Sequence, residues 1–443
     1  MSASEGREPV GVPARATHAG ESDDRWSWVE PAVWTERMLA ALDKGVKGGR
    51  WYSLYDKVFA LTTLRAGFAR VKANQGAAGV DHVSIEAFAR DEDANLARLS
   101  EELRLGSYRP QAILRRYIPK PGSQEQRPLG IPTVRDRVVQ TALCMVLEPI
   151  FERDFAAQSY GFRPGKGCKD ALRRVKELLE AGYSFVVDAD LKSYFDTIPK
   201  DRLLAQVGRK VTDGHILALL EAFLAQGVME GTELWTPEQG TPQGAVVSPL
   251  LSNIYLDPLD QMMATRGYEM VRYADDFVVL CRSSEEAAAA LAAVQGWTAA
   301  AGLTLHPTKT RLVDARSAGF DFLGYHFVGN RHWPRNKSIG KLKDTIRDKT
   351  KRTSGHSLPR IIADLNRTLR GWFAYFKHSH RTAFPPLDKW IRRRLRSILR
   401  KRSRRRGISG GRDHQRWPTA FFADYGLLNL QAAHALACQS PCG

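Results

Sequence analysis

Apolar and polar positions along the chain separate helical segments from extended ones. From Trp26 to about Arg90 apolar residues recur at helical spacing, interrupted by a polar, glycine-containing loop at residues 72–81. Residues 113–140 predict a short basic hairpin that runs into a helix, because a Pro/Gly turn separates two apolar stretches. Residues 1–24 are rich in Gly, Ser, Ala and charge, and this composition predicts a disordered leader.

Strands and helices alternate through the middle of the chain. The stretch VRYADDFVVL, residues 271–280, places Asp275 and Asp276 between two runs of β-forming residues, which predicts a hairpin with the two carboxylates at its tip. The pattern elsewhere predicts a buried strand and turn at residues 184–198 and a glycine turn leading into an apolar helix at 240–263. It also predicts a strongly helical segment at 285–302 and another strand at 319–327.

From about residue 338 the strand pattern fades and basic helical segments follow. Residues 331–406 hold 25 Lys and Arg against four Asp and no Glu, which exceeds the net charge of +18 of the whole chain. A solvated helix face is the ordinary explanation of such a run. Here, however, the cations lie among aromatic residues, a combination that favours RNA or DNA as a partner. The shift in composition predicts a domain boundary near residue 330.

Several classes of protein are disfavoured. The five cysteines are scattered and form no CxxC pair, which indicates a reduced, intracellular protein. The N-terminus has no apolar core of a signal peptide, and no run of about 18 apolar residues occurs, so we expect a cytoplasmic protein without a membrane span. The segment GFRPGKG at 161–167 lacks the first Gly and the final Ser/Thr of a phosphate-binding loop and does not indicate an NTPase.

A third carboxylate gives the Asp275–Asp276 pair a functional interpretation. An Asp-Asp pair at a hairpin tip is also explained by the turn propensity of Asp. Asp190, however, ends the apolar strand of residues 184–198 and would approach Asp275 and Asp276 if the two strands are neighbours. Clustered carboxylates repel one another unless cations neutralise them. Two Mg²⁺ ions suit such oxygen ligands and can clamp the oxygens of a phosphoryl transfer, with Mn²⁺ left open.

Four blocks in order carry a resemblance to a known family. They are QSYGFRPGKG, DLKSYFD, GTPQGAVVSPLLSNIYL and YADD, and together they resemble the ordered blocks of bacterial group II intron-encoded reverse transcriptases and maturases over roughly residues 50–430. The resemblance implies an α+β right-hand polymerase, with fingers and an antiparallel palm sheet over residues 25–330. A basic α-helical thumb and maturase (X) region would follow over 331–406, and then a C-terminal extension over 407–443 in which no nicking endonuclease block is visible.

The resemblance also implies roles for individual residues. Asp190, Asp275 and Asp276 match the catalytic, metal-binding triad of the family, with the backbone of Leu191 close to one ion. Phe195 matches the aromatic residue that excludes a ribose 2′-OH and so selects dNTPs. Taken alone, Phe195 would be read as a core aromatic residue, and only its spacing from Asp190 favours the selective role.

Further matches concern the nucleotide and the primer. The resemblance assigns Lys120 and Arg127 to the grip on the incoming triphosphate and Gln243 to the lining of the nucleotide pocket, whereas Lys309 and Gly324 lie in blocks that support the active site and the primer end. Lys120 and Arg127 are alternatively solvated charges of a turn. In the basic helical segments the predicted RNA contacts are Arg370, Lys377, Arg392, Arg393, Arg394 and Arg396.

The function that the resemblance implies is RNA-directed DNA synthesis. The protein would also bind its intron RNA as a maturase, assist splicing and support mobility by target-primed reverse transcription. Its partners would be intron RNA, an RNA template/DNA primer duplex, dNTPs and target DNA, but no membrane; a homodimer and association with the nucleoid stay open. Two alternatives stay open as well: a domesticated relative in phage defence or DNA repair, and a maturase that only binds RNA. The intact carboxylate set argues against the latter, because burying such charges without use is unfavourable.

Overall fold

The described residues fold into an α+β protein with three sheets and a helical C-terminal region. The computed structural model describes residues 25–119, 126–405 and 411–439. The predicted fold class, an α+β chain with an antiparallel central sheet followed by helices, is confirmed. The predicted leader, residues 1–24, lies outside the described residues. Within the described residues, no helix has the length and apolar character needed to cross a membrane.

The N-terminal part is a layer of helices around one buried helix. The central helix, α6, spans Val134–Glu152, and its apolar run VVQTALCMVLEPIF explains why it is buried on nearly all sides. Gly67 allows a neighbouring helix to pack close to it, since an added Cβ would lie 3.1 Å from the carbonyl oxygen of Val138. The helices that precede α6 are α1 Glu36–Lys44, α2 Tyr55–Phe59, α3 Leu61–Asn74, α4 Ile85–Arg90 and α5 Glu92–Arg104.

The first sheet contains the predicted basic hairpin. Strand β1 spans Ile113–Pro119 and pairs antiparallel with β2, Gln126–Ile131. Beyond β1 the order continues with β4, Val228–Glu230, which is parallel to β1, and β5, Glu233–Trp235. Along the chain, four further helices lie between α6 and β4: α7 Cys168–Glu180, α8 Tyr194–Thr197, α9 Lys200–Gly208 and α10 Gly214–Leu224.

The central sheet is antiparallel throughout and has the order β6-β7-β3-β8. Alternate residues of β3 point to opposite faces. Val187 and Ala189 pack into the large core with the helices α11 and α12, whereas Val186 packs into a smaller core with α7. The elements are β3 Phe185–Asp190, β6 Glu269–Tyr273, β7 Asp276–Cys281, β8 Arg311–Asp314, α11 Ser248–Thr265 and α12 Ser284–Ala300.

A third, small sheet corrects one prediction. Residues 319–327 were predicted as one strand, but they form two, β9 (Phe320–Phe322) and β10 (Tyr325–Val328), which pair antiparallel. Leu323 and Gly324 between them have φ angles of 46° and 83°, and this left-handed backbone reverses the chain within two residues. Strand β11, Arg331–Pro334, pairs with β10, so the boundary predicted near residue 330 falls inside a hairpin. The predicted domain limits as a whole stay a prediction.

The C-terminal region is helical and has its own core. Its helices are α13 Asn336–Lys349, α14 Leu358–Phe376, α15 Phe384–Arg402, α16 Gly411–Arg416, α17 Thr419–Asp424 and α18 Leu430–Gln439. Ile346, Leu365 and Ile391 from the first three pack with Phe422 and Leu430 from the last two. The segment predicted as a C-terminal extension therefore completes this core.

The attachment of α18 makes the first testable prediction. Asp388 on α15 is 3% exposed and accepts hydrogen bonds from the backbone N–H groups of Leu430 and Gln431, each at 3.0 Å. Asp388→Ala leaves both donors without this acceptor, and we expect the free energy of unfolding to fall by about 1–3 kcal/mol in urea titrations. Asp344→Ala, which removes an exposed carboxylate of α13, should change it by less than about 0.5 kcal/mol. Equal losses in the two variants would contradict the assignment.

Candidate active site

The central sheet brings the three predicted catalytic carboxylates to one edge. Asp190 is the last residue of β3 and lies directly opposite Asp276, the first residue of β7. Directly opposite residues of an antiparallel pair have Cβ atoms about 4.5–5.5 Å apart. Asp275 lies in the turn between β6 and β7. The three residues that the sequence predicted to act together are therefore neighbours.

A buried arginine holds the turn that carries Asp275. Arg272 is fully buried, and its guanidinium donates to the carboxylate of Asp260 (Nε to Oδ1, 2.8 Å) and to the amide oxygen of Asn253 (3.0 Å). Its Nη1 also donates to the backbone carbonyl of Ala274 at 2.8 Å. Ala274 has a φ of 59°, a left-handed conformation that is unfavourable for a residue with a side chain. The arginine thus fixes a strained backbone one residue before Asp275.

The segment GFRPGKG supports this turn from the other side. An added Cβ on Gly161 would lie 2.2 Å from the backbone nitrogen of Ala274, so only glycine fits there. The carbonyl of Gly161 accepts from Asn253 Nδ2 at 2.9 Å. Arg163 is 7% exposed and pairs with Glu152 at 2.6 Å. This segment is therefore structural, in keeping with its mismatch to a phosphate-binding loop.

The carboxylates lie in a strongly negative environment. Burial raises the pKa of Asp276 to about 7, and Asp188, Asp275 and Asp190 add to the rise. Burial and Asp190 also raise the pKa of Asp275, whereas Arg127 and Arg272 oppose the rise. A group of carboxylates that raise one another's pKa values is a site where a cation is strongly favoured.

Two basic side chains partly neutralise these carboxylates. Lys309 Nζ lies 2.6 Å from Asp190 Oδ2, and Arg311 Nε lies 3.0 Å from Asp188 Oδ2. In the described part of the chain, no group of three or more His, Cys, Asp or Glu side chains has its atoms gathered around one metal position. The ammonium group of Lys309 already engages Oδ2 of Asp190. The donor set still fits Mg²⁺, because three carboxylates on adjacent backbone positions are hard oxygen ligands.

The residues predicted to bind the nucleotide surround the same edge. Leu191 follows Asp190 directly, is 3% exposed and forms a bridge with Leu305. Phe195 on α8 is half-buried and packs edge-on against Tyr194, with ring centroids 5.4 Å apart. Its backbone carbonyl accepts from Thr241 N at 2.7 Å, which ties α8 to the loop that leads to α11.

That loop also joins the first sheet. The carbonyl of Gln243 accepts from Gly130 N at 2.6 Å, and its Nε2 lies 3.3 Å from Asp196 Oδ2. Arg127 on β2 is exposed and close enough to Asp275 to oppose the rise in the pKa of that carboxyl. Lys120 lies outside the described residues. Gly324, in the turn of the small sheet, accepts from Arg335 N at 3.0 Å and from Ser338 Oγ at 3.1 Å, and so joins that sheet to α13.

The six predicted RNA contacts divide into surface and structural residues. Arg370 and Arg393 are exposed, and Arg392 and Lys377 are partly exposed. Arg394 donates to the backbone carbonyl of Thr350 at 2.9 Å, beyond the end of α13. Arg396 is 4% exposed, and its Nε donates to the carbonyl of Trp417 at 2.9 Å. Arg396 therefore packs the helical region, which corrects the predicted RNA contact at this position.

The residues that hold the turn were not predicted. Arg272, Asp260 and Asn253 lie within apolar segments, and each is 1% exposed or less. A charged residue inside a buried strand must find a partner, so the lone Arg in EMVRY was a signal in principle. Its partner, twelve positions earlier on a helix, is visible only in the fold.

Comparison with known proteins gives two family matches. Residues 118–327 match the model described as reverse transcriptase (RNA-dependent DNA polymerase). Residues 339–417 match the model described as group II intron, maturase-specific domain. Together the two ranges cover the sheets that carry the carboxylates and most of the helical C-terminal region.

Individual proteins are also similar to this chain. Protein YkfC of Escherichia coli (strain K12) is 33% identical over 295 residues, which are 57% of this chain and 76% of that protein. The group II intron-encoded protein LtrA of Lactococcus lactis subsp. cremoris is 35% identical over 198 residues, 44% of this chain but only 32% of LtrA. A solved structure of telomerase from Candida albicans with a fragment of telomeric RNA has 12% identity and a TM-score of 0.43, and covers 72% of this chain and 60% of that chain.

The buried ion pair of the turn leads to a second prediction. Asp260→Leu leaves the guanidinium of Arg272 buried without its charge partner, and we expect a loss of about 3–5 kcal/mol in the free energy of unfolding. Arg272→Met in the same chain should recover much of that loss, because two apolar side chains then replace two charges. The exposed Glu101–Arg104 pair is the control, and its removal should leave the free energy of unfolding close to the parental value. A double variant no more stable than Asp260→Leu alone would contradict this.

A third prediction concerns pH. The folded-state pKa of Asp276 lies above its unfolded value, so the stability that this group contributes declines as the pH rises from about 4 to about 7. In metal-free buffer at pH 8, Asp276→Asn should therefore be more stable than the parent by roughly 1–4 kcal/mol, at about 1.4 kcal/mol per pKa unit. At pH 4 the two proteins should be alike. Urea titrations at both pH values test this, with the exposed Asp201→Asn as control; a gain that is the same at both pH values would refute it.

Proposed function

The chain belongs to the family of group II intron-encoded reverse transcriptases and maturases, and on that premise we propose that it is an RNA-directed DNA polymerase that also binds intron RNA. The observation that carries the proposal is the register of the central sheet, which pairs Asp190 with Asp276 and places Asp275 in the adjoining turn. The family generally uses divalent metals. The predicted intron-specific roles, assistance in splicing and mobility by target-primed synthesis, belong to the same proposal.

We assign the metal ligands to the three carboxylates. Asp190, Asp275 and Asp276 would hold two Mg²⁺ ions together with the backbone carbonyl of Leu191, and Mn²⁺ is an acceptable substitute. The ions would stabilise the attacking and leaving oxygens of nucleotide transfer. The negative environment of the carboxylates supports this, since the raised pKa of Asp276 reflects repulsion that cations relieve.

Lys309 has a defined part in this proposal. Its ammonium group neutralises Asp190 at 2.6 Å and is 62% exposed, so it can swing away at little cost when a cation takes its place. It then lies free to contact a phosphate of the nucleic acid. Lys309 thus keeps the carboxylate cluster stable between rounds of synthesis without blocking it.

The nucleotide pocket would be formed by the walls around the carboxylates. Arg127 and Lys120 of the first hairpin would bind the triphosphate, where cations offset the charge that develops on the leaving group. Phe195 would contact the sugar and exclude a 2′-hydroxyl, and Gln243 would line the base side. The hydrogen bond from Gly130 N to the Gln243 carbonyl supports this, because it holds the first sheet against the loop that carries Gln243.

RNA binding is implied by the two matched domains, and we propose that the exposed cations of the helical region provide it. Arg370, Arg392 and Arg393 would contact phosphates, so affinity should depend steeply on salt. The aromatic residues Trp372 and Phe376 pack into buried cores and would not stack on bases. The alternatives, a domesticated enzyme and a maturase that only binds RNA, share this surface and differ in the polymerase site or the RNA partner.

The polymerase proposal makes a fourth prediction, tested by primer extension on an RNA template with a DNA primer, Mg²⁺ and dNTPs. We expect extension by the parent chain and a loss of at least a thousandfold in Asp275→Ala/Asp276→Ala, because the remaining carboxylate cannot hold two ions. Asp201→Asn, on the exposed side of α9, should retain full activity. Absence of extension by the parent, with RNA binding intact, would overturn the polymerase and favour the maturase that only binds RNA.

The RNA-binding proposal makes a fifth prediction. Arg370→Ala/Arg392→Ala/Arg393→Ala should weaken RNA binding and lower the slope of log affinity against log salt by about 0.7–0.9 for each lost phosphate contact. The charge change is matched by a control in the N-terminal helical layer, Arg90→Ala/Arg98→Ala/Arg104→Ala. Filter binding at a series of salt concentrations measures both slopes. Equal slopes in the two triple variants would refute the assignment.

A further inference from the structure

A basic cavity lies away from the catalytic carboxylates, between the palm-side helix α7, the small sheet, the end of α14 and α18. Its volume is about 590 Å³. Among the described residues that line it there is no Asp or Glu. The basic, histidine and cysteine side chains that line it come from four elements: Lys169, Arg173 and Lys176 from α7, His332 from β11, Lys377 and His378 at the end of α14, and His434 and Cys438 from α18.

Two of the lining histidines, His332 and His378, lie close to several positive charges. Burial lowers the pKa of His378, and four cations lower it further: Lys377, Lys169, Arg173 and Lys176. Burial, Lys176 and His378 lower the pKa of His332 to about 4, against a weaker opposing hydrogen bond to the backbone of His378. Burial and the surrounding positive charges therefore both favour the neutral form of these two rings.

The carboxylates near the cavity do not balance this charge. Asp170 pairs with Arg173 at 3.1 Å and Glu180 with Lys176 at 3.6 Å, each along the surface of α7. Lys169 and Lys377 form no ion pair with any carboxylate of the described ranges. Lys169 and Lys377 therefore bring positive charge to a concave surface without an acidic partner among the described residues, and such cations attract an anion that has several acceptor oxygens.

We propose that this cavity binds a phosphate group of an RNA strand, at a site separate from the catalytic carboxylates. Its volume suits a nucleotide unit better than a single ion, since cavities of about 300–1,000 Å³ hold ligands of that size. RNA fits the rest of the molecule, because Lys377 and His378 continue the strongly basic helical region. The site goes beyond the proposed polymerase function, since none of Asp190, Asp275 or Asp276 takes part in it.

The C-terminal helix completes the lining of the site. His434, Ala437 and Cys438 of α18 form one wall, and α18 lies beyond residues 339–417 that match the maturase-specific model. The backbone hydrogen bonds from Leu430 and Gln431 to Asp388 hold this wall in place. The cavity therefore joins the reverse transcriptase part, through α7, to the C-terminal helices, and a bound phosphate would bridge the two.

The first test measures RNA affinity by fluorescence anisotropy at a series of salt concentrations. In Lys169→Gln/Lys176→Gln we expect the affinity for a single-stranded RNA to fall about tenfold or more at low salt. The salt slope should fall by about 1.4, or about 0.7 for each lost contact. Lys44→Gln/Arg98→Gln carries the same change of charge on exposed N-terminal positions and should leave both values unchanged. Unchanged binding in Lys169→Gln/Lys176→Gln would overturn the proposal.

A second variant keeps the charges and removes the space. Ala437→Phe places a ring in the cavity from a partly exposed position of α18, where it does not disturb the helical core. We expect a loss of RNA affinity of at least threefold with thermal unfolding like that of the parent. Parental affinity for RNA in this variant would overturn the proposal even if Lys169→Gln/Lys176→Gln were unstable.

A third readout identifies the ligand. Histidine ring resonances followed by NMR should show the pKa of His378 rising when RNA is added, because the phosphate charge offsets the four cations. Inorganic phosphate and dAMP are separate arms. If the pKa of His378 rises with inorganic phosphate or dAMP but not with RNA, the cavity binds small anions and the RNA assignment is overturned. All three ligands are tested again in Asp275→Ala/Asp276→Ala, whose response to RNA should match that of the parent chain. The polymerase proposal and the cavity proposal can therefore fail independently.

Discussion

The buried ion pair between Arg272 and Asp260 is the interaction on which the candidate active site depends. Both side chains are fully buried, and the arginine uses its remaining donors on Asn253 and on the backbone carbonyl of Ala274. An ion pair of this kind adds little net stability compared with apolar residues of similar size. Its benefit is specificity, because it fixes the left-handed residue before Asp275 and so decides where two carboxylates point.

The charged groups around that turn are largely buried carboxylates and exposed basic side chains. Asp188, Asp190, Asp275 and Asp276 repel one another, and the fold tolerates this because Lys309 and Arg311 pair with two of them. Both basic residues are more than half exposed, whereas the carboxylates are largely buried. The carboxylates are therefore held in place while the basic side chains can exchange with other cations, an arrangement that suits a polymerase, whose metal ions and phosphates come and go.

The sequence predicted the parts of this site that local patterns encode. Asp275 and Asp276 between two β-forming runs, and Asp190 at the end of an apolar strand, required only alternation and turn chemistry. The support from Gly161 was missed because it lies about a hundred residues before the turn, and that from Arg272 because its partner Asp260 lies on a separate element with no local sign of contact. The turn at Leu323 was missed because apolar alternation continues across it, and Arg396 was misassigned because charge alone does not tell a surface arginine from a buried one.

Anomalous diffraction from crystals grown with Mn²⁺, an RNA template, a DNA primer and a non-reactive dNTP analogue tests the central claim most directly. We expect two manganese peaks within coordination distance of Asp190, Asp275 and Asp276, with the ammonium group of Lys309 displaced from Asp190. The same crystals of Asp260→Leu/Arg272→Met should show weakened or missing peaks, because the turn loses its anchor. Manganese bound elsewhere, or Lys309 still paired with Asp190 beside a bound nucleotide, would contradict the assignment of these carboxylates as the metal ligands.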